Sequence, residues 1–210
     1  MKSSIKQLRR REIIEAAYRV FLNHGLDGLS TARICKEAGM SPGIITYYFK
    51  GKDEVLFWMV RHANNVIMNE VVAQMGSANT RWERLTAIIR GNFPDHLFTR
   101  NTASAWVSFY ASTTRNDQFA KLQSLFHRRL GTNLRSCVSN LLDKGEMAEF
   151  VLGVGILIDG CWLRRGIANS AMTAEDAISL IGRHIENQLG PDRVRTLQEP
   201  HLPSSGPTAT

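Results

Sequence analysis

Two pairs of side chains in the second half of the chain have the types and spacing of a site for a cation. Trp106 and Tyr110 are four residues apart, and Asp159 and Trp162 are three apart, so on a helix each pair lies on one face. A permanently charged trimethylammonium group cannot donate a hydrogen bond, and it is bound instead by aromatic faces and a carboxylate. The four residues therefore permit a quaternary-ammonium site.

The same residues also have a purely structural interpretation. Aromatic residues at helical spacing are most often core residues, and Asp159 could pair with Arg164 or Arg165. Asp159 nevertheless interrupts the apolar run FVLGVGILIDGCWL (150–163), and burial of a carboxylate requires a partner. Both interpretations stay open on these residues alone.

No other group of reactive residue types has the spacing of a catalytic or metal site. The six histidines are scattered without metal-ligand spacing. Cys35, Cys137 and Cys161 are odd in number and far apart, which indicates neither a disulfide framework nor a metal cluster. We expect no enzyme, no metal and no cofactor, and the cysteine usage is typical of a reducing cytoplasm.

Positive charge is concentrated at the N-terminus of the 210-residue chain. Residues 1–52 hold ten Lys and Arg against four Asp and Glu, which gives +6 of the total formal charge of +7. A basic module on a nearly neutral body is the electrostatic pattern of a polyanion-binding protein. A solvated basic face is the alternative interpretation of the same composition.

The stretch SPGIITYYFKGK (41–52) has few apolar residues but two tyrosines and two lysines. Ser30 can cap a short helix that ends before Gly39, and Ser41 with Pro42 can begin the next helix. Gly39 can adopt the left-handed backbone conformation that redirects the chain. This is the spacing of a helix–turn–helix, in which the second helix enters a DNA major groove.

Ile45 and Phe49 lie four residues apart and can anchor that second helix, so Gly43 and Tyr47 point outward. The alternative is an αα-hairpin with surface tyrosines. We predict that the DNA-binding residues are Ser30, Thr31, Arg33, Ser41, Pro42, Gly43, Ile44, Thr46, Tyr47, Tyr48, Lys50 and Lys52.

Proline placement and hydrophobic periodicity predict an all-α protein of about nine helices. Only Pro42 and Pro94 precede residue 190, and apolar residues recur with a period near 3.6. We expect a DNA-binding domain at 1–52, an effector-binding and dimerisation domain at 53–190, and a flexible tail at 191–210. The most apolar run is shorter than the roughly 20 residues that span a bilayer, and no signal peptide precedes it, so we expect a soluble cytoplasmic protein.

The stretch LSTARICKEAGMSPGIITYYFKGKDEVL (29–56) resembles the N-terminal module of TetR/AcrR transcriptional regulators. The resemblance implies an all-helical homodimer with three DNA-binding helices and a larger effector-binding domain. It places Gly43, Tyr47, Tyr48 and Lys52 at recognition or phosphate-contact positions. The family often has threonine and tyrosine where this chain has Ile44 and Thr46.

Four later strings are similar to one subgroup of that family, the choline-responsive repressors of glycine betaine synthesis. They are RLTAIIRGNF (84–93), AWVSFYAS (105–112), LFHRRLGTNL (125–134) and LIDGCWLRRGIA (157–168). This resemblance implies a repressor that binds a palindromic operator, responds to choline and controls choline uptake and osmoprotectant genes. The alternatives are a regulator of another cation or amphiphile, such as a polyamine or drug, an all-α small-molecule enzyme, and a structural bundle.

The resemblance also implies dimerisation, and we expect it through the helices at about 146–168 and 174–189. Apolar residues recur there at helical spacing. They are Val151, Val154, Ile158, Ala177, Ile181 and Ile185.

Overall fold

The computed structural model describes residues 2–167 and 170–200, with side chains from residue 5 onward. Within these residues the chain forms nine helices and no strand, which confirms the predicted fold class. The helices are α1 (Lys2–His24), α2 (Thr31–Glu37), α3 (Ile44–Tyr48), α4 (Lys52–Met75), α5 (Arg81–Gly91), α6 (Arg100–Thr113), α7 (Asp117–Val138), α8 (Lys144–Gly166) and α9 (Ala174–Gln198). None of these helices is long and apolar enough to cross a bilayer.

Helices α1–α3 form a module in which α2 and α3 both pack on α1. The predicted cap of α2 is confirmed, because the Ser30 hydroxyl accepts a hydrogen bond from the Arg33 amide at 3.2 Å. Gly39 makes the turn after α2 with φ of +63°, a conformation that favours glycine. Local capping and one glycine therefore position α3.

Helix α3 begins later than the sequence predicted. Ser41, Pro42 and Gly43 form a turn, closed by a 3.1 Å hydrogen bond from the Ile44 amide to the Ser41 carbonyl. This hydrogen bond joins residues three apart and closes a turn, whereas the hydrogen bonds of an α-helix join residues four apart. The helix therefore starts at Ile44, and the exposed turn forms part of the candidate DNA-binding surface.

Helix α4 joins the two parts of the molecule, since it packs against α1 on one side and α5 on the other. Its contact with α5 is close: a Cβ added at Gly91 would lie 2.4 Å from the Val71 Cα. Only glycine fits there, so α4 is held tightly against the C-terminal domain.

The predicted tail is in part helical. Gly190, with φ of +76°, ends the straight part of α9, and Pro191 stands at the start of a second helical segment that continues to Gln198. Proline is favourable at a first helical position, and Leu197 is fully buried. The expectation of a flexible tail is wrong for residues 191–198, and residues 201–210 lie outside the described part of the chain.

The residues proposed for dimerisation serve the subunit's own core. All except Val151, which is half-buried, are buried within one chain: Val154, Ile158, Ala177, Ile181 and Ile185. A different stripe of α8 carries exposed apolar side chains, at Leu152, Ile156 and Leu163.

Candidate DNA-binding surface and ligand pocket

Helix α3 is anchored by apolar residues and exposes its tyrosine. Ile45 and Phe49 are buried as predicted, whereas Tyr47 is 74% exposed. The Tyr47 ring meets the half-buried Tyr48 ring edge-on, with 4.8 Å between centroids. This contact holds the Tyr47 ring at the surface, where its hydroxyl can meet a phosphate or a base.

The other predicted DNA-binding residues lie on α2, on α3 and its turn, and at the start of α4. Ile44 and Tyr48 are half-buried. The exposed ones are Ser30, Thr31, Arg33, Ser41, Pro42, Gly43, Thr46, Tyr47, Lys50 and Lys52. A Cβ at Gly43 would meet nothing within 4 Å, so the backbone at this position is open to close approach by a ligand.

The basic charge of the module is partly neutralised within it. Arg9, Arg11 and Arg19 each lie within 3.4 Å of a glutamate oxygen. Lys50 and Lys52 form no ion pair with a described carboxylate and are exposed. The charge available to a polyanion therefore includes the end of α3 and the start of α4, together with Arg33 and Lys36 of α2, which are also exposed and form no ion pair with a described carboxylate.

A hydrogen-bond network around Arg10 and Glu54, which was not predicted from the sequence, joins α3 to α4. The Arg10 guanidinium donates to the Tyr48 carbonyl and, at 2.7 Å, to the Glu54 carboxylate. Glu54 also accepts from the Lys50 amide at 2.8 Å and from the Trp58 indole at 3.3 Å. The Arg10 hydrogen bond is the main reason why the pKa of Glu54 is lowered.

The four residues predicted to bind a cation converge on one cavity. Trp106 and Tyr110 come from α6 and Asp159 and Trp162 from α8, and they are joined by side chains of α4, α7 and α8. The added lining residues are Asn64, Ile67, Gln123, Phe126 and Ile158. The cavity has a volume of about 20 Å³, which is room for about one water molecule.

Asp159 is held by partners that the sequence did not predict. Its Oδ1 accepts from the Tyr110 hydroxyl at 3.4 Å, and its Oδ2 lies 3.1 Å from His127 Nε2. The alternative partners Arg164 and Arg165 are wrong, since Arg165 donates to the Phe98 and Ser170 carbonyls instead and Arg164 forms no ion pair within the described chain.

The Asp159 carboxylate changes the acid–base behaviour of its neighbours. Its hydrogen bond is the main reason why the pKa of His127 is raised. Burial, together with the negative charge of Asp159, raises the pKa of Tyr110 well above its usual range. The cavity is therefore lined by a carboxylate and a neutral phenol. His127 is not a lining residue: its side chain is 45% exposed and meets Asp159 from an adjoining surface groove that both residues line.

Both tryptophans are at once core residues and walls of the cavity. The Trp162 indole donates to the Asn92 carbonyl at 3.1 Å, and its ring meets Phe98 edge-on at 4.9 Å. Trp106 is only 6% exposed and meets Phe21 edge-on at 6.0 Å. The structural and ligand-binding interpretations of these residues are thus compatible.

Two connections run from the cavity to the DNA-binding module. The first is α4, which lines the cavity with Asn64 and Ile67 and begins at Lys52. The second is the Trp106–Phe21 contact between α6 and α1. It is supported by a 3.0 Å hydrogen bond from the amide of Leu26, in the turn after α1, to the Ser108 hydroxyl of α6.

Within the described residues, no cluster of three or more His, Cys, Asp or Glu side chains has the arrangement of a metal site. The three cysteines are buried, and none forms a disulfide. The cavity itself offers a ligand aromatic faces and one carboxylate.

Both parts of the chain are similar to known regulators. Residues 13–58 match the family described as bacterial regulatory proteins, tetR family, and residues 81–190 match the family described as BetI-type transcriptional repressor, C-terminal. A relative from Brucella canis, described as HTH-type transcriptional regulator BetI, is 34% identical over 188 residues, which cover 90% of this chain and 95% of the relative.

Solved structures share the fold at lower identity. A transcriptional regulator from Pseudomonas aeruginosa PAO1 aligns with a TM-score of 0.73 at 20% identity, covering 91% of this chain and 95% of that one. A regulator from Saccharomonospora viridis, solved in complex with choline, aligns with a TM-score of 0.71 at 20% identity, covering 86% and 96%.

Proposed function

We propose that this chain, which belongs to the TetR family of transcriptional regulators and carries a BetI-type repressor domain, binds its operator under the control of choline. Its target genes are then those of choline uptake and glycine betaine biosynthesis, and it acts in the cytoplasm. The observation that carries the proposal is the Asp159 carboxylate, placed in a cavity walled by Trp106, Tyr110 and Trp162.

The charge of the cavity favours a small monocation. Asp159 is the only carboxylate among the lining residues, and the lining includes no lysine or arginine. A trimethylammonium group would meet one opposite charge and aromatic faces. Glycine betaine would bring a carboxylate toward Asp159 into a lining that offers it no lysine or arginine, and a polyamine would bring more positive charge than one carboxylate can balance.

The cavity is smaller than the proposed ligand, so ligand binding should be accompanied by a conformational change that can regulate DNA binding. Space for about one water molecule is too little for a trimethylammonium group, so the ligand must move the helices that form the walls. A ligand shifts a conformational equilibrium only if it binds one arrangement better, and coupling of about 1–3 kcal/mol is typical of such systems. Movement of α4 at Asn64 would be carried to Lys52 at its N-terminus.

We also propose that the molecule is a homodimer through the exposed stripe of α8. Leu152, Ile156 and Leu163 are 64%, 59% and 46% exposed, and an apolar patch of this kind is typical of a binding surface. A two-fold dimer presents two copies of α3, which suits a palindromic operator.

Isothermal titration calorimetry with choline tests the ligand. We expect the wild type to bind choline, and Asp159→Asn to bind it at least about tenfold more weakly, since a loss of 1.4 kcal/mol is tenfold in affinity. The neutral isostere 3,3-dimethyl-1-butanol should bind weakly to both proteins. Asp192→Asn, at a 91% exposed carboxylate far from the cavity, is the matched control.

Absence of choline binding to the wild type would contradict the proposed effector. Undiminished binding to Asp159→Asn would contradict the proposed site. Binding of a polyamine in preference to choline would favour a regulator of another cation.

A further inference from the structure

The partner of the cavity's carboxylate is itself a potential cation. His127 Nε2 lies 3.1 Å from Asp159 Oδ2, and Asp159 is the group that a bound trimethylammonium needs. We infer that His127, which contacts Asp159 from outside the cavity lining, determines specificity through that carboxylate: its imidazolium occupies Asp159, so that a cationic ligand binds when His127 is neutral and its binding releases one proton. This inference rests on the proposed cation site.

Charge balance determines which cation pairs with Asp159. When His127 is protonated, it and Asp159 form a neutral pair, and a ligand cation would leave one uncompensated positive charge between aromatic walls. When His127 is neutral, Asp159 and the ligand form the neutral pair instead. Because a like charge nearby disfavours a second cation and an unpaired buried charge is costly, the imidazolium and the ligand compete for one carboxylate.

The structure offers neutral His127 a second partner. The same Nε2 lies 3.0 Å from Gln123 Nε2. An amide nitrogen is a donor, and an unprotonated imidazole nitrogen is an acceptor. His127 can therefore donate to Asp159 when protonated and accept from Gln123 when neutral, so loss of its proton leaves no orphaned ring nitrogen at this position.

Among the groups around His127, Asp159 is the charge that most affects its protonation. Helix α8 contributes Asp159, and α6 contributes Tyr110, which burial keeps protonated. Helix α4 lines the cavity with the uncharged Asn64. On α7 itself, the following residues Arg128 and Arg129 are exposed to solvent, where their charge is screened.

The direction of the pH dependence follows from the raised pKa of His127. Below that pKa the imidazolium holds Asp159 and cation affinity falls as the pH is lowered. Above it the competitor is absent and affinity reaches a plateau. For release of one proton the change below the pKa approaches about tenfold per pH unit.

The test is calorimetry of choline with the full chain from pH 5.5 to 8.5, in two buffers of different ionisation enthalpy. We expect wild-type affinity to rise with pH and about one proton to be released per choline at the acidic end. His127→Gln should bind choline with little pH dependence and no proton release. His96→Gln is the matched control, because His96 also faces a carboxylate, Glu70 at 3.4 Å, but Glu70 does not line the cavity, whereas Asp159 does.

A pH-independent affinity of the wild type, or a pH dependence that persists in His127→Gln, would overturn the inference. Failure of choline to bind at any pH would contradict the proposed effector rather than the His127–Asp159 pair. In that case the interaction of His127 with Asp159 is tested by measuring the pKa of His127 by NMR in the wild type and in Asp159→Asn. A lower pKa in the variant supports the pair, and an unchanged pKa overturns it.

Discussion

Single substitutions of the exposed residues in α3 and at the start of α4 should weaken DNA binding without disturbing the fold. Tyr47 is 74% exposed and Lys52 is exposed without an ion pair in the described chain. We predict that Tyr47→Ala and Lys52→Ala fold normally and bind the operator more weakly. Lys52→Ala should act alike on all DNA sequences and reduce the salt slope by about one phosphate contact.

Fluorescence anisotropy with operator and unrelated duplexes, at several salt concentrations, measures these effects. Lys121→Ala, at an exposed lysine of α7, is the control and should bind as the wild type does. Unchanged DNA affinity in both α3–α4 variants would refute the recognition-helix assignment.

Asp159 shows what single residues reveal in a sequence. A carboxylate inside an apolar run predicts that it has a partner, and its spacing from Trp162 correctly places both on one wall of the cavity. The partner's identity was not predictable, because His127 lies on a different helix and nothing in its local sequence points to Asp159. Pairing across helices is a property of the packed structure.

At the scale of helices, the hydrogen-bond network around Arg10 and Glu54 should stabilise the packing of α3 against α4. Loss of the charged acceptor in Glu54→Gln weakens contacts to Arg10, Lys50 and Trp58. We expect the free energy of unfolding to fall by about 1–2 kcal/mol at pH 7. Because the pKa of Glu54 is lowered in the folded state, its contribution is present above the ordinary glutamate pKa of about 4.3 and is lost as the pH falls through the lowered value.

Chemical denaturation between pH 3 and pH 7 checks this. The deficit of Glu54→Gln relative to the wild type should be constant above about pH 5 and should shrink toward pH 3. Glu175→Gln, at an exposed carboxylate on α9, serves as the control. A deficit that is the same at all pH values would contradict the assigned role of the carboxylate.

Helix number and most helix ends were predictable because they depend on local rules. The Ser30 cap predicted from the sequence is present, and Thr80 with Glu83 forms a capping box by the same kind of local contact. Proline has two possible roles, in a turn or at the first position of a helix, and local sequence does not distinguish them. Pro42 lies in a turn before its helix, whereas Pro191 begins a helical segment, and the difference depends on neighbours such as the buried Leu197.

At the scale of the whole molecule, periodicity alone could not separate a subunit's core from its interface. The apolar stripes of α8 that were expected at a dimer interface are core, and the exposed stripe was recognisable only once burial was known. We predict that Ile156→Glu disrupts the dimer, because it places a charge within that stripe. Sedimentation velocity at micromolar concentration should show a monomer with unchanged helix content.

Val72→Glu is the control for this change, since Val72 is 58% exposed on α4, away from α8 and α9. It should remain dimeric and bind operator as the wild type does. A wild type that is monomeric at this concentration, or an Ile156→Glu variant that stays dimeric, would contradict the proposed interface.

The cavity and the DNA-binding surface are linked through α4 and through the Trp106–Phe21 contact, so the whole account depends on coupling between them. Anisotropy titration of the DNA upstream of the protein's own gene, with and without choline, tests it most directly. We predict that choline changes the operator Kd of the wild type by about 5- to 150-fold and leaves that of Asp159→Asn unchanged. An operator Kd that is the same with and without saturating choline in the wild type would contradict the account.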